Sequence, residues 1–254
     1  MHCRLCNTES TQIFNHQILH KYNIAYYQCP NCGLIFTEKP YWLSEAYSDA
    51  IADIDTGIMQ RNLHLVNVMS MILQTFFKHD DYYLDYGGGY GIFTRLMRDK
   101  GFLYFWTDKY AEPMLAKGFE YTNERVSALT AFEVFEHLEN PLEDIGTMLS
   151  YTRNIFFSTE CYDQDMKVPN SSWWYWSYES GQHISIYSQK TLMHIAQMYH
   201  LNYYHLLGLH WFTDKTISKF MINYMRLLFR IKPKYRTDFK YCSQDMNYLK
   251  QIKT

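Results

Sequence analysis

One glycine-rich stretch limits the fold of this chain more than any other feature. Residues 85–91 read Asp-Tyr-Gly-Gly-Gly-Tyr-Gly and follow the short apolar run at 82–84. Apolar residues then recur at helical spacing, at Ile92, Phe93, Leu96 and Met97. The stretch therefore predicts a loop between a strand and a helix. Glycines there let backbone N–H groups approach a ligand closely, and the helix N-terminus adds a partial positive charge.

Two later segments repeat the pattern of a strand followed by an acidic residue. Residues 103–107 read as a strand that ends at Asp108, and a carboxylate in that place can accept both hydroxyls of a ribose. The next strand signal, 128–132, is followed by Glu-Val-Phe-Glu-His-Leu-Glu-Asn-Pro at 133–141. Because ligands of open α/β sheets bind at the carboxyl ends of the strands, we expect these acids and the glycine loop to share one site.

Together these segments resemble the class I S-adenosylmethionine (SAM) methyltransferases. Residues 85–91 are similar to the first motif of that family, and the pattern E-V-x-E-H-L-x-x-P at 133–141 is similar to a later one. Asp108, Pro113 and Met114 match the family pattern D-x-x-x-x-P-M, in which the proline opens a short helix. The resemblance implies an α/β fold with a doubly wound, mostly parallel sheet of the seven-strand, Rossmann-like type.

The resemblance also implies SAM as cofactor, held by the loop and by residues at the strand ends. The implied cofactor-binding residues are Asp85, Tyr86, Gly87, Gly89, Gly91, Asp108, Lys109, Phe132 and Glu133. The chain departs from the family pattern between Asp108 and Ala128, where little room is left for the usual third strand and its adenine-contacting acid. Residues 119–120 are the expected remnant of that strand.

The remaining elements follow from hydrophobic spacing and capping residues. Residues 58–77 have the spacing of an amphipathic helix, and 154–159 read as a further strand. Ser188 is placed to cap a helix that runs to about Tyr199, and 201–212 read as a closing strand pair. Alternation of strands and helices favours a mostly parallel, doubly wound sheet.

Four cysteines form two pairs, Cys3-x-x-Cys6 and Cys29-x-x-Cys32. Two such pairs can present four thiolates to a structural Zn²⁺ and leave no open coordination position. The alternative, two disulfides, is disfavoured in a cytosolic protein. Around the second pair, residues 26–37 also resemble the zinc module that precedes many bacterial sugar and polysaccharide methyltransferases. Cys161 and Cys242 are unpaired by spacing and are expected to be free thiols.

These features divide the chain into four expected parts. They are a zinc ribbon at 1–40, a linker and leading helix at 41–80, a SAM-binding domain at 81–213 and a C-terminal helical tail at 214–254. The net charge of −2, and a ribbon with only three cations, give no strong nucleic-acid signal. No apolar run reaches transmembrane length and no signal peptide is evident, so a cytoplasmic location is expected.

Two segments have alternative interpretations. Residues 173–178 read Trp-Trp-Tyr-Trp-Ser-Tyr and could either cap the core or form a lid over an acceptor cleft. The tail alternates apolar and basic residues from 214 to 232. It is expected to dock on its own domain or on a second subunit, which would give a homodimer, and the alternative is a membrane surface.

The candidate catalytic residues are His183, His137 and Glu136. The segment 181–188, Gly-Gln-His-Ile-Ser-Ile-Tyr-Ser, resembles a family segment beside the SAM methyl group, where sugar C-methyltransferases place a histidine base. Imidazole is suited to accept a proton near neutral pH. As an alternative, Glu133 and Glu136 with two histidines resemble the divalent-metal site of small-RNA 2′-O-methyltransferases.

The sequence thus predicts methyl transfer from SAM to a small-molecule or glycan acceptor, most specifically a sugar or glycan precursor, with a histidine base. One alternative is a metal-assisted O-methyltransferase acting on RNA or a small phenolic acceptor. Another is a non-catalytic SAM-binding protein. The intact Asp85, the glycines and Asp108 argue against the last alternative.

Overall fold

The computed structural model describes residues 1–47, 56–78, 80–162, 167–231, 244, 245, 247 and 251. Within them lie ten strands: β1 Thr11–Ile18, β2 Tyr22–Gln28, β3 Ile35–Thr37, β4 Tyr82–Tyr86, β5 Leu103–Thr107, β6 Ala128–Phe132, β7 Ile155–Ser158, β8 Ser185–Ile186, β9 Asn202–Leu206 and β10 Leu209–Thr213. The helices are α1 Leu43–Ala46, α2 Ile58–Phe76, α3 Ile92–Arg98, α4 Pro141–Tyr151, α5 Gln189–Met198 and α6 Lys219–Ile231. Phe135–His137 and Trp174–Trp176 form short 3₁₀ turns.

The strands form two sheets. One has the order β1-β2-β3-β8, and the other has the order β5-β4-β6-β7-β10-β9. By its contacts the chain divides into two compact units. The first comprises Met1–Ala52, Phe132–Ser150 and Phe156–Lys215, and the second comprises Asp53–Ala131, Tyr151–Ile155 and Thr216–Thr254.

The second unit contains the parallel strands that follow the sequence pattern. β4 pairs in parallel with β5 on one side and with β6 on the other. The predicted strands at 82–85, 103–107 and 128–132 and the predicted helix at 58–77 are confirmed, within one residue at their ends. The alternation of strands and helices, with parallel pairing, is an α/β architecture, as the sequence predicts.

The predicted seven-strand count is not confirmed, because the large sheet contains six strands in the described part of the chain. At the expected place of the third strand, Glu120 forms a single parallel bridge with Trp106. Backbone bonds of 2.9 Å join Trp106 N–H to Phe119 O and Tyr121 N–H to Trp106 O. The short connection after Asp108 therefore forms one β-bridge in place of the third strand, at the predicted position 119–120.

The predicted helix at Pro113 is wrong, since residues 109–118 form bends and turns. Asp108 explains part of this difference. Its Oδ1 accepts hydrogen bonds from the backbone N–H groups of Tyr110 (2.7 Å) and Ala111 (2.9 Å). These bonds hold the chain in a turn directly after the strand, a conformation that Asp side chains favour over helix.

In the first unit, the N-terminal strands form a meander, and β3 then pairs antiparallel with β8. Arg4 ties this sheet together by donating to the backbone oxygens of Thr37 (2.8 Å) and Glu38 (2.9 Å). The predicted strand pair at 201–212 is confirmed as the antiparallel β9 and β10. Ser188 caps α5, as predicted, by accepting from Thr191 N–H.

The aromatic run at 173–178 belongs mainly to the core of the first unit. Tyr175 and Trp176 are each only 1% exposed, whereas Trp174 is 72% exposed. The buried pair packs with Tyr26 and Trp42 of the N-terminal region. Core packing is therefore the correct interpretation for Tyr175 and Trp176. Of these two residues and Trp174, only Trp174 is exposed enough to contact a ligand.

Some predictions fall outside the described residues: Cys242, the linker at 48–55 and the tail at 232–243. Among the described residues, no helix combines the length and the apolar character needed to cross a membrane.

Candidate functional site

The glycine loop between β4 and α3 has the backbone that its sequence predicts. Gly87, Gly89 and Gly91 have φ values of 69°, 53° and 80°, in the left-handed region that favours glycine. At Gly88 the constraint is space, because an added Cβ would lie 2.6 Å from Trp106 Cδ1 and 2.8 Å from Asp85 Oδ2. The loop therefore has no room for a side chain at Gly88, while the space beside Gly89 is open.

Asp85 anchors the loop from the end of β4. Its side chain is buried, and its carboxylate accepts hydrogen bonds from the hydroxyls of Thr94 (2.9 Å) and Thr130 (3.0 Å). Burial raises the pKa of Asp85 to about 7, with a smaller contribution from the nearby Asp108. The two hydroxyls oppose this rise by stabilising the charged form.

Asp108 lies at the end of β5 and faces the loop. Its Oδ2 accepts a 2.9 Å hydrogen bond from Gly89 N–H, while its Oδ1 accepts from the two amides of the following turn. The indole N–H of Trp106 donates to Gly89 O at 3.1 Å and so holds the peptide that follows Gly89. The carboxylate is thus held at the loop, with lone pairs remaining for a ribose hydroxyl.

The other predicted cofactor residues differ in their surroundings. Tyr86 is half-buried, and its ring lies 6.4 Å from that of Tyr151. Lys109 is exposed, with its ammonium group 5.2 Å from the centre of the Tyr110 ring. All of these residues belong to the second unit, as do Asp85, Asp108 and the glycines.

Phe132 and Glu133 belong to the first unit. Glu133 has a φ of 54°, a conformation that costs a non-glycine residue energy and occurs most often at functional positions. Its N–H donates to Ser158 Oγ (2.9 Å), and the Ser158 hydroxyl donates back to Glu133 Oε1 (2.6 Å). Two hydrogen bonds therefore stabilise the unusual backbone at the end of β6.

The three predicted catalytic residues, Glu136, His137 and His183, come together in the first unit. Each can offer one ligand atom such that the three atoms lie within 4.8 Å of one another. The two imidazole rings meet edge to face at 5.1 Å, and His137 Nε2 lies 4.0 Å from Glu136 Oε1. We call this group the Glu-His-His cluster.

Backbone carbonyls set the tautomers of both histidines. His183 Nδ1 lies 2.6 Å from Tyr175 O, and His137 Nδ1 lies 3.1 Å from Gln182 O. A carbonyl oxygen only accepts, so each Nδ1 carries the proton and each Nε2 keeps its lone pair. Tyr47 OH also lies 2.9 Å from His137 Nδ1.

Burial changes the ionisation of all three groups. It lowers the pKa of His183 to about 4 and that of His137 to about 3, with His183 adding to the effect on His137. It raises the pKa of Glu136 to about 8, and the nearby Glu133 contributes to this rise. Glu136 is fully buried, and neither of its carboxylate oxygens has a hydrogen-bond partner among the described residues.

Sequence patterns did not identify the residues that surround the cluster. Tyr175 contributes its carbonyl to His183, packs its ring 4.6 Å from that histidine, and its hydroxyl lies 3.0 Å from Thr159 Oγ1. Tyr175 stands within the aromatic run, but no spacing rule links that run to His183. No pattern in the sequence indicates that the hydroxyl of Tyr47 lies beside His137.

The four N-terminal cysteines also meet in the first unit. Their Sγ atoms lie within 4.8 Å of one another, with Cys3 to Cys32 at 3.5 Å and Cys6 to Cys29 at 3.4 Å. These separations exceed the roughly 2.05 Å of a disulfide, and the cysteines are free thiols. They are close to the spacing of about 3.8 Å that a tetrahedron of Zn–S bonds requires.

Comparison with known proteins gives one family. Residues 59–206 match the methyltransferase domain family. A search of curated protein sequences finds no match.

Several solved structures are similar in fold. An O-methyltransferase family protein from Burkholderia thailandensis has 9% identity and a TM-score of 0.49, over 71% of this chain and 65% of that one. The 1,6-didemethyltoxoflavin-N1-methyltransferase of the same organism, with S-adenosylhomocysteine bound, has 15% identity and a TM-score of 0.48, over 79% and 96%. The plantazolicin methyltransferase BpumL, also bound to S-adenosylhomocysteine, has 13% identity and a TM-score of 0.47, over 77% and 90%.

The chain therefore spans less than two thirds of the length of the Burkholderia O-methyltransferase family protein. The family match at 59–206 covers more than half of this chain and includes the glycine loop, Asp108 and the acidic segment after β6. The chain belongs to the methyltransferase domain family.

Proposed function

We propose that this methyltransferase methylates a hydroxyl oxygen of a sugar or glycan precursor, with the help of a divalent cation held by the Glu-His-His cluster. The observation that carries this proposal is the buried carboxylate of Glu136, which has no hydrogen-bond partner among the described residues and lies beside the two histidines. SAM is the proposed methyl donor.

The donor set fits a divalent cation. An ionised carboxylate without a partner is costly to bury, and a cation would remove this cost. The Nδ1 atom of each histidine is hydrogen-bonded to a backbone carbonyl oxygen. Such contacts orient the imidazole so that its Nε2 atom can bind a metal. Two imidazoles with one carboxylate suit manganese, iron, cobalt or zinc better than magnesium or calcium, which prefer oxygen ligands. Glu133, three residues before Glu136, is a further candidate ligand.

A histidine acting alone as the base is less consistent with the surroundings of His183. A general base works best when its pKa lies near the working pH, and burial lowers the pKa of His183 to about 4. The same burial keeps the ring neutral at pH 7, which is the form that binds a metal. We therefore assign ligand roles to His183 and His137, and His183 as a lone base becomes the alternative.

Bound at this cluster, a divalent cation would lower the pKa of the acceptor hydroxyl. The chain's own residues have simpler roles. Tyr175 O and Gln182 O hold the imidazoles in one tautomer.

SAM would bind at the glycine loop, with the ribose hydroxyls on Asp108. It supplies a methyl group on a sulfonium, which is a good leaving group. The fit rests on the open space beside Gly89, where an added Cβ would meet no atom within 4 Å, and on the three backbone amides that orient Asp108. Asp85 would stabilise the start of the loop through its hydrogen bonds with the hydroxyls of Thr94 and Thr130.

A sugar acceptor is supported by the resemblance of 26–37 and 181–188 to segments of sugar and polysaccharide methyltransferases. Trp174, exposed next to Tyr175, offers an aromatic face of the kind on which sugars and planar rings stack. RNA is the alternative acceptor. The few cations at 1–40 and the net charge of −2 disfavour it.

We also propose that Cys3, Cys6, Cys29 and Cys32 hold one structural Zn²⁺. Backbone N–H groups of Leu5 and Cys32 donate to Cys3 Sγ (3.4 Å) and Cys29 Sγ (3.5 Å), which favours thiolates. With four thiolates bound, the metal would stabilise the fold of this region and take no part in catalysis.

The test of the function is a turnover screen. Purified protein is incubated with labelled SAM and a panel of nucleotide sugars, with and without Mn²⁺, and products are analysed for O-methyl groups by mass spectrometry. Metal-dependent O-methylation that Glu136→Gln abolishes, and that His194→Ala on α5 leaves intact, would support the proposal. Methylation of RNA alone would contradict it. So would a turnover rate that neither a chelator nor Glu136→Gln changes. Binding of S-adenosylhomocysteine without turnover on any acceptor would favour the non-catalytic alternative.

A further inference from the structure

Helix α6 has two apolar faces, of which the described residues cover only one. On the inner face, Met225 is fully buried, the ring of Phe229 meets His64 of α2 edge to face at 5.8 Å, and α6 packs on α2. The outer face carries four exposed apolar side chains. They are Phe220 (76% exposed), Tyr224 (44%), Leu227 (56%) and Ile231 (69%).

These four residues form one continuous stripe. Their positions, i, i+4, i+7 and i+11, follow the helical repeat, so the side chains align along one side of the helix. Phe220 and Tyr224 stack with their ring centres 6.4 Å apart. Single exposed apolar residues need no explanation, but an aligned stripe of four indicates an interaction surface.

The charges around the stripe are of one sign. Lys219, Arg226 and Arg230 are exposed on α6, and among the described residues none of them forms an ion pair. The sequence from Lys215 to Arg236 contains seven cations and no acid, although the whole chain has a net charge of −2. Positive charge is therefore concentrated in the segment of sequence that contains the apolar stripe, although the protein as a whole is slightly acidic.

We propose that the outer face of α6 docks on an anionic lipid membrane, with the stripe in the acyl boundary and the cations at the headgroups. Apolar side chains on one face with Lys and Arg beside them are the composition of interfacial helices. Charge complementarity selects this occupant. A second copy of the chain would bring two cationic helices together, and a nucleic acid offers no apolar phase for the stripe.

The experiment is co-sedimentation of the full-length, zinc-loaded protein with vesicles. One set contains phosphatidylcholine alone, and the other contains phosphatidylcholine with a quarter phosphatidylglycerol. The expected result is saturable binding to the anionic vesicles only, weakened as salt rises because the charges are screened. No binding to anionic vesicles, or equal binding to both sets, would overturn the proposal.

Two variants separate the contributions of charge and apolar contact. Arg226→Gln/Arg230→Gln should weaken binding roughly thirtyfold, since each cation near an anionic surface contributes about fivefold. Leu227→Ser/Ile231→Ser should weaken it at least tenfold. All four positions are exposed, so the variants should retain the fold, and binding of S-adenosylhomocysteine checks this.

Matched controls alter the same residue types elsewhere on the surface. Lys117→Gln/Lys167→Gln removes two exposed cations, and Met193→Ser/Met198→Ser removes two exposed apolar side chains of α5. Both controls should bind vesicles like the unaltered protein. If the controls lose binding equally, or if light scattering shows that the Leu227→Ser/Ile231→Ser variant only dissociates a dimer, α6 is not a membrane-docking surface.

Discussion

The backbone N–H of Gly89 donates a 2.9 Å hydrogen bond to Oδ2 of Asp108, which joins the glycine loop to the end of the neighbouring strand. The contact fixes the carboxylate beside the loop before any cofactor binds. An acid placed in this way can accept ribose hydroxyls without first being oriented, and its removal should affect the loop and the cofactor together.

We expect Asp108→Ala to weaken binding of S-adenosylhomocysteine strongly. Hydrogen bonds to a charged group contribute roughly 1.5–3 kcal/mol each, so loss of two should lower the affinity by about a hundredfold or more. Isothermal titration calorimetry measures this. Glu112→Ala, an exposed acid on the same connection, is the control and should bind normally. Unchanged affinity in Asp108→Ala would remove Asp108 from the cofactor site.

Gly88→Ala tests the tightness of the loop. The new Cβ would lie 2.6 Å from Trp106 Cδ1 and 2.8 Å from Asp85 Oδ2, so the loop must shift. We expect a destabilisation of about 1–3 kcal/mol, as for overpacked cores, and a loss of cofactor affinity. Gly146→Ala in α4 is the matched control, where the nearest atom is 3.4 Å away and helix propensity should make alanine neutral or favourable. Equal thermal stability of the two variants would show that the loop has room for a side chain at position 88.

Elemental analysis tests the cysteine site. The protein should contain one zinc per chain, and Cys29→Ser should lower this content, whereas Cys161→Ser should not. Because β3 pairs with β8 and Thr191 Oγ1 donates to Cys32 O at 3.0 Å, removal of zinc should also increase hydrogen exchange at 184–191. A protein purified without chelators that holds no zinc would refute the site.

Glu136 predicts an unusual dependence of stability on pH. Burial raises its pKa to about 8 in the folded protein, from a usual value of 4.5. Between these pH values the folded state holds a proton that the unfolded state releases, so the free energy of unfolding of the metal-free protein should fall as pH rises from about 5 to 8. The effect should amount to a few kcal/mol.

Chemical denaturation at several pH values measures this slope. Glu136→Gln should flatten it, since an amide does not titrate. A divalent cation should also oppose the fall, because it binds the ionised carboxylate more tightly as pH rises. A metal-free protein with the same pH slope as Glu136→Gln would show that Glu136 titrates normally.

The sequence was most informative where local patterns determine structure. The strand at 103–107, the capped helix after Ser188 and the left-handed glycines at 87, 89 and 91 all follow from spacing and residue type. The helix predicted at Pro113 failed because the side chain of Asp108 holds the following amides in a turn. That hydrogen-bonded turn competes with a helix, and the family pattern does not record it.

Long-range contacts could not be predicted in this way. The pairing of β3 with β8 joins residues about 150 positions apart in the chain, and no period or motif indicates it. Glu136, His137 and His183 were each selected by resemblance, but their convergence depends on the carbonyls of Tyr175 and Gln182. Burial, which only the fold determines, lowers the pKa of His183 to about 4 and so favours the neutral imidazole at pH 7.

The most direct test of the proposed mechanism is a titration of the zinc-loaded protein with Mn²⁺. Electron paramagnetic resonance measures the concentration of free Mn²⁺ at each step and therefore how much is bound. The Glu-His-His cluster should bind about one Mn²⁺ per chain. Glu136→Gln and His183→Ala should each weaken this binding at least tenfold, while His194→Ala should not change it. Absence of saturable Mn²⁺ binding, or binding that all three variants retain, would contradict metal-assisted methyl transfer at this cluster.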